Sequence, residues 1–463
     1  MQQIIIPSVV DILQKRLNRN LKTAEKLINS DIPNIFQPFH MRKLILLAFL
    51  FTATGAHAQK TILIKCGKLL DTRSGQVTEK QYILVKGNTV VSVGGNAVAA
   101  DSTIDLSDYF VMPGLIDCHT HVLLQGDITQ EDYDVQVLKE SIPYRTIRGI
   151  KAAERSLMNG FTTIRDLGTE GAGFADVDIK KAINRGITNG PRMFVSTLAI
   201  NTTGHYPIKT GDYAWELKMP KGLQEITGAD EGRRAVRQQI EQGADWIKIY
   251  ADRGYYKLAD GSYRALPNFT PEEINAIGDE TIRSRKKLAA HAMTRDGIIS
   301  AINAGAKSIE HGSGMDEECM KLMASKGVFW CPTLFVNEFV AEGRAKLGSP
   351  INLYFSQSIP DIFKKAMKAG VKLAYGTDIG GYDWSLPQAK DFTYFVQWGL
   401  TPIQAIQTAT TTAAELLEQE GKIGEIKTGT FADIIALKKD PTKNIEALQK
   451  IDWVMKDGKV FKQ

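Results

Sequence analysis

The sequence predicts an α/β chain: a (β/α)8 TIM barrel with a small β-sandwich domain formed from both chain ends. Three observations carry that prediction. From Leu115 onward, short apolar runs alternate with amphipathic stretches, the pattern of strand and helix units wound around a parallel sheet. The strand runs can be counted as eight: LIDCHTHV from Leu115, TTIRDLG from Thr162, RMFVSTLAI from Arg192, WIKIYA from Trp246, KLAAHA from Lys287, SIEHG from Ser308, VFWCPTLF from Val328 and KLAYGTD from Lys372. No dinucleotide-binding glycine fingerprint opens the series, which argues against an open doubly wound sheet. A length of 463 residues, with 43% hydrophobic content, suits one large barrel with an added module.

Taken in order, residues 1–40 carry no export feature and read as an upstream tail, with translation expected to start at Met41. Residues 41–58, MRKLILLAFLFTATGAHA, have a basic start (Arg42, Lys43), an apolar stretch and a small-residue ending, the layout of a secretory signal peptide. The apolar stretch is too short for a comfortable bilayer span. Cleavage after Ala58 would leave Gln59 at the mature N-terminus and a periplasmic or secreted protein with no stable membrane span. Residues 59–113 hold the strand runs TILIKC, QYILVKG and NTVVSVG with turn signals at Gly87-Asn88 and Gly94-Gly95, the first half of the small β domain. Residues 114–420 form the barrel, with helical stretches at 147–158, 271–285, 315–325 and 402–418. Residues 421–463, with FADIIALKKDP and IDWVMKDGKVF, supply the second half of the small domain.

Without residues 1–58 the chain holds 50 basic and 49 acidic residues, so its net charge is +1 and no nucleic-acid footprint remains. Cys66, Cys118, Cys319 and Cys331 match no zinc ribbon or disulfide framework and read as buried thiols. Strand alternation turns Cys118 away from the neighbouring histidines, which makes it a poor nucleophile.

The chemistry begins at PGLIDCHTH, residues 113–121. In a strand, positions i and i+2 share a face, so His119 and His121 present two imidazoles where a buried strand meets solvent. Further candidate ligands fall at the carboxyl ends of later strands: Lys248, His291, His311 and Asp378. In a barrel these ends converge, so residues distant in sequence become neighbours. Seven histidines occur in the chain, five of them after residue 58, and four of those five sit on strand ends. An ordinary ammonium has no lone pair, so Lys248 must be neutral, or converted by carbon dioxide into a carbamate, to serve as a ligand.

Those segments, with GADWIKIY around Lys248, AAHA around His291, SIEHG around His311 and GTD ending at Asp378, resemble the amidohydrolase superfamily from about Thr61 to the C-terminus. The likeness is closest to members related to imidazolonepropionase and to the prolidase-like group that acts on dipeptides and N-acyl amino acids. The resemblance implies two divalent metal ions. His119, His121 and Asp378 would hold one, His291 and His311 the other, with carbamylated Lys248 and a hydroxide bridging them. Imidazole and carboxylate ligands suit zinc, and manganese or cobalt as alternatives. The implied reaction is attack of the hydroxide on an amide carbonyl, with Asp378 passing the proton to the leaving nitrogen.

For the substrate, Tyr250 lies on the strand face of Lys248, where its hydroxyl can reach a carboxylate, and Arg253 follows it in ADRGYY. His205, in TTGHY after the third strand, resembles the family's substrate-side histidine on that loop. Arg165 and Asp166 read as a structural ion pair, and alternation points Glu310 away from the metals. The expected substrate is a small amide or dipeptide. A cyclic-amide hydrolase or a lactonase would use the same ligands, and a binding protein that kept the fold should show broken ligands. A homo-oligomer is left open.

Overall fold

The computed structural model describes residues 60–205, 213–214 and 216–463; the upstream tail and the signal peptide expected at 1–58 lie outside the described residues. Four strands come first: β1 (Thr61–Leu70), β2 (Val77–Lys86), β3 (Thr89–Gly94) and β4 (Ser102–Pro113). The barrel strands follow as β5 (Leu115–Thr120), β6 (Phe161–Asp166) and β7 (Arg192–Val195), then the short β8 (Ile200–Thr202) and β9 (Gln224–Ile226). Next come β10 (Trp246–Tyr250), a hairpin of β11 (Asp252–Lys257) and β12 (Tyr263–Pro267), and then β13 (Lys287–Thr294), β14 (Ala306–Gly314), β15 (Phe329–Cys331) and β16 (Lys372–Leu373). The chain ends on β17 (Ile434–Leu437), β18 (Trp453–Lys456) and β19 (Lys459–Lys462).

The eight predicted runs become β5, β6, β7, β10, β13, β14, β15 and β16, paired in parallel between helices. The ring is closed at two seams by backbone hydrogen bonds. Asp245 N donates to Val195 O at 2.8 Å between β7 and β10. After β16 the chain lies along β5, where Cys118 N donates to Tyr375 O at 2.8 Å and Asp378 N to His119 O at 2.7 Å. Gly380, at φ +111°, lets this return pass close, since a Cβ there would come within 2.3 Å of His121 O.

Two local departures from the expected strands matter. The run RMFVSTLAI breaks at Thr197, which takes φ +61°, so regular pairing stops at Val195 and resumes as β8. The last run keeps only Lys372–Leu373 as strand, so Asp378 stands on the segment beyond it. Helices begin where capping chemistry allows. In Pro271–Arg283, Thr270 accepts from Glu273 N and Glu273 reaches back to Thr270 N, with proline at the first helical position.

Inward side chains Ile116, Cys118, Trp246, Ala289, Phe329 and Cys331 form a cluster inside the barrel that extends to Ala413 and Leu416 of the helix Thr411–Leu416. Their strand neighbours Leu115, Ile247, Ile249, Ala290 and Ile309 face outward into the larger core. The two chain ends meet in one seven-stranded sheet, ordered β19-β18-β17-β4-β1-β2-β3. Ile64, Ile83 and Val85 from one end pack with Ile434, Trp453 and Met455 from the other in a single apolar cluster. β4 is the shared strand, parallel to β1 on one side and antiparallel to β17 on the other. No described helix is long and apolar enough to cross a membrane.

Candidate metal centre

Five barrel strands bring the predicted ligands to one place at their carboxyl ends. β5 carries His119, with His121 just past its end; β10 carries Lys248, β13 His291 and β14 His311; Asp378 follows β16. All six, with Tyr250, Arg253 and His205, line one cavity of about 560 Å³. Ring centroids lie 5.3 Å apart for His119 and His121, 5.1 Å for His119 and His311, and 4.6 Å for His291 and His311. Asp378 Oδ1 lies 3.1 Å from His121 Nε2 and 3.4 Å from His119 Nε2. One ligand atom from each of His119, His311 and Asp378 fits within a 4.8 Å span, a set able to hold a metal ion.

Each imidazole is tied at one nitrogen and turned inward at the other. His119 Nδ1 donates to Glu310 Oε2 at 2.8 Å, and His121 Nδ1 donates to Gly168 O at 2.9 Å. His311 Nδ1 meets Thr333 Oγ1 at 2.7 Å, and His291 Nε2 meets Tyr255 OH at 3.1 Å. His119 Nε2 and His291 Nδ1 are buried and make no hydrogen bond among the described residues. The Glu310 carboxylate fixes the His119 tautomer and leaves Nε2 with its lone pair, the form a metal requires. At His121 burial opposes the charge, but Asp378 outweighs it and raises the ring to about 9. Burial, helped by the nearby Lys248 charge, lowers His119 to about 4, so the neutral ring dominates at neutral pH. Burial disfavours the charge on Asp378, but His119 and His121 override it and hold the carboxyl well below its ordinary range.

Lys248 is 1% exposed, on a strand buried along its whole length. Burial lowers its ammonium from 10.5 to about 8, against the opposing pull of Glu310 and Asp378. That shift brings a minority of the amine into the neutral form at neutral pH, the only form with a lone pair.

The chain matches the amidohydrolase family model over residues 110–461. It belongs to that family. Among curated relatives, the ochratoxinase of Aspergillus niger is 34% identical over 379 residues, covering 76% of this chain and 75% of that one. The imidazolonepropionase of Aeromonas hydrophila subsp. hydrophila is 24% identical over 353 residues, covering 72% of this chain and 78% of its own. Among solved structures, a Xaa-Pro dipeptidase with bound methionine in its active site superposes with a TM-score of 0.77 at 34% identity, covering 87% of this chain and all of that one. This amidohydrolase is therefore a hydrolase of carbon–nitrogen bonds, acting on small-molecule amides.

Two sequence readings are corrected. Arg165 pairs with Glu310, at 2.9 Å from Nη2 to Oε1, and not with Asp166. Adjacent strand residues point to opposite faces: Arg165 turns into the barrel, while Asp166 Oδ1 accepts from Val122 N at 2.7 Å. Glu310 does not point away from the site; it is fully buried and holds His119. Alternation fails because His311 takes φ +70°, which lets consecutive residues reach the same centre. Burial opposes ionisation of Glu310, yet Arg165 and His119 hold its carboxyl well below the ordinary range.

The substrate candidates are placed with less uniformity. Arg253 stacks its guanidinium 4.7 Å from the Tyr250 ring centre, and His205 stands exposed at the cavity edge. The Tyr250 hydroxyl donates to Glu170 Oε1 at 3.1 Å. Glu170, Thr333 and Tyr255 carry little signal in the sequence. Tyr255 lies in DRGYY, a polar run directly after a buried strand, and that position is its one readable signal. Cys118 packs under the site, where burial pushes its thiol far above 9.0 and suppresses the thiolate a nucleophile requires.

Proposed function

We propose that this amidohydrolase is an exported, binuclear metal enzyme that cleaves the amide bond of a dipeptide or an N-acyl amino acid. The observation that carries the reading is the set of four histidines, each held from outside by one nitrogen and turned by the other toward a shared space with Lys248 and Asp378. His119, His121 and Asp378 would hold one divalent ion, and His291 with His311 the other, with zinc the best match to these donors. When bound, such ions lower the pKa of water and polarise a carbonyl.

The chain's own groups supply the rest. The neutral Lys248 amine adds to the carbon of carbon dioxide, forming an N–C bond and releasing one proton. The resulting carbamate replaces a cation by an anion with two donor oxygens. Asp378, kept ionised, takes the proton of the attacking water and delivers it to the leaving nitrogen, which departs poorly unless protonated. Arg253 and His205 offer cationic or donor groups to a substrate carboxylate. The dipeptidase likeness, with methionine in that protein's site, supports release of a C-terminal amino acid. The likeness to imidazolonepropionase favours a cyclic amide as the second reading. Export rests on the signal-like residues 41–58, and N-terminal sequencing of the mature protein should begin at Gln59.

The deciding experiment offers dipeptides, N-acyl amino acids, cyclic amides and lactones to protein loaded with zinc and bicarbonate, beside a chelated control. Chelator-sensitive release of a C-terminal amino acid is expected. Turnover of cyclic amides or lactones alone would overturn the substrate reading.

A further inference from the structure

We infer that Glu170 is a positioning residue that sets the Tyr250 ring as the substrate-facing wall of the cavity. The inference rests on the amide-hydrolase reading above and adds to it a residue that the reaction itself does not call for.

Glu170 follows β6 on a loop that touches both halves of the site. Two residues earlier, Gly168 O receives the Nδ1 proton of His121. Glu170 is 3% exposed and lines the cavity. Its Oε1 accepts from the Tyr250 hydroxyl at 3.1 Å and lies 3.7 Å from His121 Nδ1, while its Oε2 accepts from the Tyr133 hydroxyl at 2.8 Å. The Tyr250 ring in turn meets His291 edge-on at 5.0 Å and carries the Arg253 guanidinium at 4.7 Å. One carboxylate thus anchors the aromatic plate on which the cationic group of the substrate wall is stacked.

The loop is built to hold it there. Glu170 takes φ +47°, a left-handed conformation uncommon outside glycine. Buried Arg145 secures it from below, donating to Glu170 O at 2.8 Å, Thr169 O at 3.2 Å and Leu123 O at 2.9 Å. Gly171 follows at φ +83°, where a Cβ would come within 2.7 Å of Lys221 O.

Hydrogen-bond polarity gives the consequence. A phenol has one proton, and an ionised carboxylate only accepts. With that proton directed at Glu170, the Tyr250 hydroxyl has none left to donate to a substrate carboxylate. Arg253, rather than the Tyr250 hydroxyl, is then the group that meets a substrate carboxylate. This replaces the carboxylate contact that the sequence suggested for Tyr250.

The test is a double-mutant cycle of Glu170→Ala and Tyr250→Phe, with KM and kcat measured on L-methionyl-L-proline and on N-acetyl-L-methionine. Binding of free L-methionine is read by calorimetry, and bound metal by elemental analysis. Glu170→Ala should raise KM and the L-methionine Kd by roughly tenfold to a hundredfold, the range for losing a hydrogen bond to a charged group, with metal content and kcat changed much less. In the Tyr250→Phe background the same substitution should add little, because Glu170 acts through that hydroxyl. Fully additive effects, an unchanged KM, or a loss of metal that accounts for the defect would overturn the proposal. If Glu170→Ala fails to fold, Glu170→Gln completes the same cycle. Failure of the wild type to turn over either substrate would instead overturn the reading of the site itself, while the calorimetric cycle would still judge Glu170.

Discussion

The barrel mouth and the seven-stranded sheet are built from the same kinds of strand, yet they bury opposite things. In the sheet, the buried cluster is apolar throughout, from Ile64 and Val85 to Ile434 and Trp453. At the mouth, the fully or almost fully buried groups include His119, Lys248, Arg165 and Glu310. Backbone strain divides the same way. Glu170, Thr197, His311, Thr333 and Asp378 all take left-handed φ around the mouth, whereas the sheet's comparable residues, Lys80 and Asp457, lie exposed or half-exposed at its surface. A buried charge and a left-handed side chain each cost stability. Their concentration at one end of one barrel marks where stability is given up for chemistry, and the sheet is where it is recovered by plain apolar burial.

That contrast can be broken in steps. The largest effect is expected from Asp378→Asn, which removes the proton carrier while keeping the size of the side chain. Activity should fall by about 10²–10⁴-fold with thermal stability nearly unchanged and most metal retained; turnover near wild type would remove Asp378 from the proton path. The converse change is Ile434→Ala in the sheet, at a fully buried position. It should cost about 2–4 kcal/mol of unfolding free energy, read by denaturant titration, and leave kcat per folded molecule intact. The smallest expected effect sharpens the boundary between the regions. Glu310→Gln weakens the hold on His119 and should lower metal affinity by about 10–100-fold, measured by competition with a chelator. If it changed only stability, Glu310 would belong with the core and not with the site.

Much of the mouth was legible from residue types at strand ends. His119, His121, Lys248, His291, His311 and Asp378 each stand in a strand-like run of the sequence, and the fold places all six on one cavity. The outer partners were not legible in the same way. Thr333 reaches His311 from the start of the helix Leu334–Lys346, and Tyr255 reaches His291 from a hairpin, so neither shares a strand with the ligand it holds. Glu310 is adjacent in sequence to a ligand, yet alternation places it wrongly, because alternation is a rule about extended backbone and His311 is not extended.

What the sequence determined by itself was the order of strands and helices, the β texture of both ends and the chemical type of each ligand, since periodicity and side-chain chemistry are properties of short segments. Only the tertiary structure decided which groups touch. Ring closure brings Tyr375 and Asp378 onto β5, Trp330 Nε1 donates to His311 O at 2.7 Å where that residue reverses its φ, and Arg165 finds Glu310 across the barrel. Those contacts join residues far apart in the chain, and their geometry is set by packing that no local pattern encodes.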